Sequence, residues 1–147
     1  MIQLPLLASL VILATPSAFA QNVDPSPRFT HAQATSFFGT RRVSGLGRGA
    51  LARVWFEANA PTQEDRRLRS GYRFVAGCRA HDCPTKAAAI IAAGGAIVGA
   101  AIVALKCSET CEDTSTGFVF VRRTTPVWAR DELRAWSRRV SNRAPLP

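Results

Sequence analysis

Residues 87–105 form a run of nineteen uncharged residues, and no other stretch limits the possible folds of this chain as strongly. As one α-helix the run would be about 28 Å long, close to the thickness of a bilayer core, so a membrane span is one reading. Three features oppose it. Gly94-Gly95 sits at the centre, the isoleucines and valines are β-branched, and Cys83 and Cys107 lie near the two ends. A Gly-Gly turn instead predicts a β-hairpin, with strands over 88–93 and 96–105 of ordinary length and with alanines that let a helix pack closely on one face. The hairpin is the preferred reading and the membrane helix the alternative.

The N-terminus carries a second apolar run, 4–20, that ends in the small-x-small sequence Ala18-Phe19-Ala20. This reads as a secretory signal peptide over 1–20 with cleavage after Ala20, although no Lys or Arg precedes the apolar run. An uncleaved anchor is the competing reading, opposed by Pro16 and by the shortness of the run. About 127 residues then remain, enough to bury one core, so a single domain is expected. A flexible lead-in is expected over 21–35, where Pro25 and Pro27 stand among polar residues, and the domain itself over 36–147.

Export also frames the cysteines and the charge. All four cysteines fall after residue 20, and their even number in an exported chain favours disulfides in an oxidising periplasmic or extracellular compartment. Four cysteines permit three pairings, and their order does not choose among them. Lys plus Arg number 19 against 10 Asp plus Glu, a formal charge of +9, and only Lys86 and Lys106 are lysines. Such a surface favours anionic partners. Nucleic acid is the reflex assignment, but an exported chain with no recognisable nucleic-acid motif meets phospholipid head groups and cell-wall polymers first.

Local patterns predict the remaining elements. Between residues 36 and 49, Phe37-Phe38 followed by a Gly- and Arg-rich stretch favours a loop over a long helix, and Val54-Trp55-Phe56 predicts a short strand over 51–56. Pro61 introduces a charged turn at Glu64-Asp65-Arg66-Arg67, after which Tyr72-Arg73-Phe74-Val75 predicts a strand ending at Gly77. Beyond Cys111, a polar turn over 112–117 leads to a strand at Phe118-Val119-Phe120-Val121. The chain then predicts a terminal helix capped by Thr124 or Thr125, with Pro126 in its first turn and Val127, Leu133, Trp136 and Val140 as the buried stripe. Arg134, Arg138, Arg139 and Arg143 fall on its other faces, as a solvated face or as a contact for anionic lipid or polymer. No repeat or low-complexity tract is present.

The densest chemistry lies in Cys78-Arg79-Ala80-His81-Asp82-Cys83, which holds two cysteines, one of the two histidines and a carboxylate. Three readings compete. Zinc could nominally draw ligands from Cys78, Cys83, Cys107, Cys111 and His81, but the spacing matches no familiar finger and export opposes free thiolates. A thiol-disulfide oxidoreductase wants two residues between its cysteines, not four. In the third reading a disulfide closes a small loop. Closure of about six residues contributes only ~2 kcal/mol to the fold, so its use would be local: fixing the direction of His81, with Asp82 capping the turn or orienting the imidazole.

Segment 72–104 resembles the inhibitors of vertebrate lysozyme (Ivy), whose hallmark is a Cys-Lys-Pro-His-Asp-Cys loop between two strands. The likeness covers about a third of the expected mature chain, and more loosely up to two thirds. It implies an α+β fold with an antiparallel sheet and helices packed on it, a Cys78–Cys83 bridge, and Cys107–Cys111 as an additional one. It also implies a non-enzymatic inhibitor without cofactor or metal, in which His81 plugs the cleft of a c-type lysozyme between its carboxyl groups. Arg79 would be a flanking cation, and homodimers occur in the family. Ala80 and Arg79 depart from the family's proline and lysine. Animal lysozymes are strongly basic, so a +9 chain is repelled at long range, which makes lytic transglycosylases or an anionic envelope surface the alternative partners. No nucleophile–base pair accompanies either histidine, so no enzymatic activity is expected.

Overall fold

The computed structural model describes residues 26, 28–44, 46, 49–79, 82–106 and 114–141, with the backbone alone at 82–84, 105–106 and 114–116. Helices α1 (His31–Phe38) and α2 (Leu51–Glu57) precede strand β1 (Thr62–Arg67) and a single 3-10 turn (Arg69–Gly71). Strands β2 (Arg73–Arg79), β3 (Asp82–Ile91), β4 (Ile97–Lys106) and β5 (Thr114–Val121) follow, and α3 (Val127–Ser141) ends the described chain. The strands lie in chain order, β1-β2-β3-β4-β5, and every neighbouring pair is antiparallel. The expected α+β architecture is therefore present.

The uncharged run is the β3–β4 hairpin. Gly95 adopts φ +81°, a conformation open to glycine at little cost, and its N–H donates to Ala92 O while Ala92 N–H donates to Ala96 O. No helix among the described residues is long and apolar enough to cross a membrane. The run does not alternate because both faces of the hairpin are covered. Val75, Ala87, Ala89, Ile91, Ile97, Ala100 and Ile102 face α1 and α2, whereas Phe74, Ala76, Ala88, Ile90, Ala101 and Val103 face α3. Helices thus lie on both sides of the sheet, rather than on the one face that the alanines were expected to serve.

Several local expectations are corrected. Residues 51–56 form α2, not a strand: Leu51, Ala52 and Trp55 share one buried face, and the helical spacing from Leu51 to Trp55 outweighs the aromatic and β-branched content of the segment. Residues 36–38 belong to α1, whose start is fixed by a reciprocal capping box in which Thr30 Oγ1 accepts from Gln33 N–H and Gln33 Oε1 accepts from Thr30 N–H. Just before it, Phe29 is buried and stacks on Trp55 with ring centroids 4.6 Å apart, so residues within 21–35 contribute to the core. The charged segment 64–67 is strand β1, held in the sheet by pairing with β2 and by arginine–carboxylate contacts.

Helix α3 buries Ala129, Leu133 and Trp136, while Val127 is 71% exposed and drops out of the expected stripe. Thr125 does not cap it. Its hydroxyl accepts from Arg122 N–H and donates to Val98 O at 2.6 Å, tying the connection to β4, and the carbonyl of Pro126 accepts the first helical bonds, from Ala129 and Arg130.

Candidate functional site

The Cys78–Cys83 sextet forms the end of the β2–β3 hairpin. The ladder continues to Arg79, which opposes Asp82, so only two residues separate the strands. The register slips beside it, because Cys78 opposes Lys86. Alternation with Phe74 and Ala76 places Cys78 on the α3 face, where it is 2% exposed and its Sγ accepts a hydrogen bond from Gln63 Nε2 at 3.1 Å. Among the described residues no disulfide bond is present. That overturns the expected lysozyme plug, a loop clamped by a Cys78–Cys83 disulfide and projecting into a partner's cleft. The backbone is held by the strand ladder, and Cys78 points into the protein.

Arg79 Nη2 lies 3.2 Å from Glu57 Oε2, tying the hairpin end to α2. Ala80 and His81, the side chains of Asp82 and Cys83, and Cys107 and Cys111 lie outside the described residues, as do the Cys107–Cys111 pairing and the signal peptide over 1–20. No group of three or more metal-ligating side chains occurs among the described residues.

Charge is distributed unevenly. Glu57, Glu64, Asp65, Asp131 and Glu132, all the acidic residues with described side chains, each meet an arginine. Asp65, 8% exposed, lies 2.7 Å from Arg28 and 2.5 Å from Arg73. Arg66 reaches both Glu64 and Glu132, linking β1 to α3, and its guanidinium also lies over the ring of Phe74. Burial works against the charge on Arg66, but the two carboxylates outweigh it and raise the pKa above the ordinary arginine value.

Eight arginines are left over. Arg41, Arg42, Arg67, Arg69, Arg122, Arg123, Arg138 and Arg139 are exposed and make no ion pair among the described residues. They occupy the end of α1, the β1–β2 connection and both ends of α3. His31, at the start of α1, lies edge-on to Phe56 and lines a cleft of about 550 Å³ together with Arg42 and Arg53.

A smaller groove of about 230 Å³ opens where the last turns of α3 cross β1, β2 and β3. Ala76 and Gly77 of β2 and Trp136 and Val140 of α3 are among the residues that line it. Gln63, Glu64, Lys86 and Arg139 supply the polar groups around it. Lys86 and Arg139 make no ion pair among the described residues. Sequence reading missed this site because Lys86 merely borders an apolar run and Trp136 reads as core, while the residues from β1 join it only through the sheet.

No family model, curated protein or solved structure matches this chain.

Proposed function

We propose that this protein is an exported, non-catalytic component of the cell envelope that binds an anionic polymer through its arginine surface. One observation carries the reading: the described carboxylates are all engaged by arginines, yet exposed arginines remain without acidic partners at several places on the surface. Their like charges repel one another, and a polyanion relieves that repulsion. Insertion into a bilayer is less well supported. Among the described residues the only exposed large hydrophobics are Val121 and Val127, too few for an apolar membrane-docking face.

Kinship with the Ivy fold belongs to the same proposal. It is supported by an antiparallel sheet whose β2–β3 hairpin end carries Cys-Arg-Ala-His-Asp-Cys. The disulfide-clamped plug is not part of it.

Co-sedimentation of the purified chain with acidic cell-wall polysaccharide tests the reading. Binding is expected at about 0.1 M salt and should be largely lost near 1 M, where the Debye length falls from about 10 Å to about 3 Å. Binding that ignores salt, or that requires phospholipid vesicles and is absent with the polysaccharide, overturns it.

A further inference from the structure

The groove beneath the end of α3 combines groups that a purely cationic surface does not. Its volume, about 230 Å³, lies below the roughly 300–1,000 Å³ of pockets that enclose a whole small molecule, so it suits one unit of a longer chain. Lys86 and Arg139 supply positive charge. Beside them stand a carboxylate, Glu64, and an amide, Gln63, whose Nε2 is engaged by Cys78 Sγ and whose carbonyl oxygen is an acceptor. A bare inorganic anion gains from the cations alone, and Glu64, already held by Arg66, offers it no favourable contact. A sugar ring bearing an anion uses both kinds of group, because its hydroxyls donate to Glu64 and Gln63 while its charge meets Lys86 and Arg139. Val140 offers an apolar surface for the C–H face of the ring, backed by Trp136, which is itself only 4% exposed.

From this juxtaposition we infer that the groove binds a single acidic sugar unit, with its carboxylate or phosphate at Lys86 and Arg139 and its hydroxyls at Gln63 and Glu64. The inference rests on the polymer-binding reading and specifies which unit of such a polymer the protein recognises. The exposed arginines elsewhere on the surface then provide affinity that is indifferent to sequence and linkage, and the groove provides selection.

Amide-resolved NMR of the full chain, titrated separately with glucuronate, glucose 6-phosphate, glucose and inorganic phosphate, tests it. Saturable shifts at Gly77, Lys86 and the Trp136 indole N–H are expected with one or both acidic sugars, and the stronger of the two identifies carboxylate or phosphate as the preferred anion. Glucose and inorganic phosphate should bind at least ~10-fold more weakly, since each lacks about one charge-assisted or hydroxyl contact set. Lys86→Gln and Arg139→Gln should each weaken the acidic sugar about 10-fold while leaving the rest of the spectrum in place. Inorganic phosphate binding as tightly as the acidic sugars, shifts centred on Arg41 and Arg42, or no saturable binding of either acidic sugar overturns the inference. Should sugar binding be absent while the salt-sensitive sedimentation persists, the groove assignment alone fails; loss of that sedimentation removes the broader reading.

Discussion

The indole N–H of Trp55 lies 3.0 Å from the carbonyl oxygen of Ala101, joining α2 to the centre of the sheet. It also reaches Ala88 O at 3.2 Å, and Ala88 and Ala101 are cross-strand partners in β3 and β4. A fully buried donor is thus shared between two strands. Trp55→Phe keeps most of the ring and removes the donor, so a loss of about 1–3 kcal/mol is expected. Urea unfolding should show a lower midpoint with an unchanged slope; an unchanged midpoint would mean the indole bond contributes nothing net.

That bond also shows where sequence reading succeeded and where it stopped. Gly94-Gly95 within an apolar run marked the β3–β4 hairpin because glycine has a local backbone meaning there, confirmed by the positive φ of Gly95. Residues 51–56 were misread because three aromatic and β-branched side chains mimic a strand, and the partners that make them a helix, Ala88 and Ala101, are distant in sequence. Charge pairing was equally invisible: Glu64-Asp65-Arg66-Arg67 looked like a charged turn, whereas successive residues of β1 engage Arg28 and Arg73 through Asp65 and Glu132 through Arg66. Nor could the sequence show that the expected inhibitory loop continues a strand ladder, because the Arg79–Asp82 pairing and the Arg79–Glu57 contact exist only in the fold.

Gly77 of β2 lies hard against the backbone that connects α2 to β1. A Cβ placed there would collide with Pro61 O and lie 2.7 Å from Asn59 O, both backbone atoms. Gly77→Ala should therefore destabilise by about 1–3 kcal/mol through overpacking. Gly94→Ala is the control, since nothing lies within 4 Å of the place its added methyl would take and its effect should stay within about 0.5 kcal/mol. Comparable melting curves for the two variants would contradict the close approach at Gly77.

Asp65 anchors the segment before α1. Its carboxylate, 8% exposed, sits between Arg28 and Arg73. Asp65→Asn keeps the shape and removes the charge, leaving two guanidiniums facing a neutral amide. A loss of about 2 kcal/mol is expected from charged hydrogen bonds at a partly shielded site. Limited proteolysis should cut the region around Arg28 faster in the variant than in the parent, and equal rates would argue against the anchor.

Arg66 gives the fold a link whose pH behaviour depends on which cation occupies the site. Its raised pKa means that its stabilising contribution is fully present below the ordinary arginine value and is lost only as pH rises through the higher folded value, beyond the range in which the protein would be handled. A lysine there titrates near about 10.4 when unperturbed and cannot fork between Glu64 and Glu132 in the same way. Arg66→Lys should therefore cost about 1 kcal/mol or less near neutrality, because the pair is partly exposed. The deficit relative to the parent should widen as pH passes through about 10 to 11, where the lysine loses its proton. Denaturant midpoints of both proteins, measured in parallel from neutral to alkaline pH, check this: a difference that stays constant would show that the link between β1 and α3 does not depend on the charge at position 66.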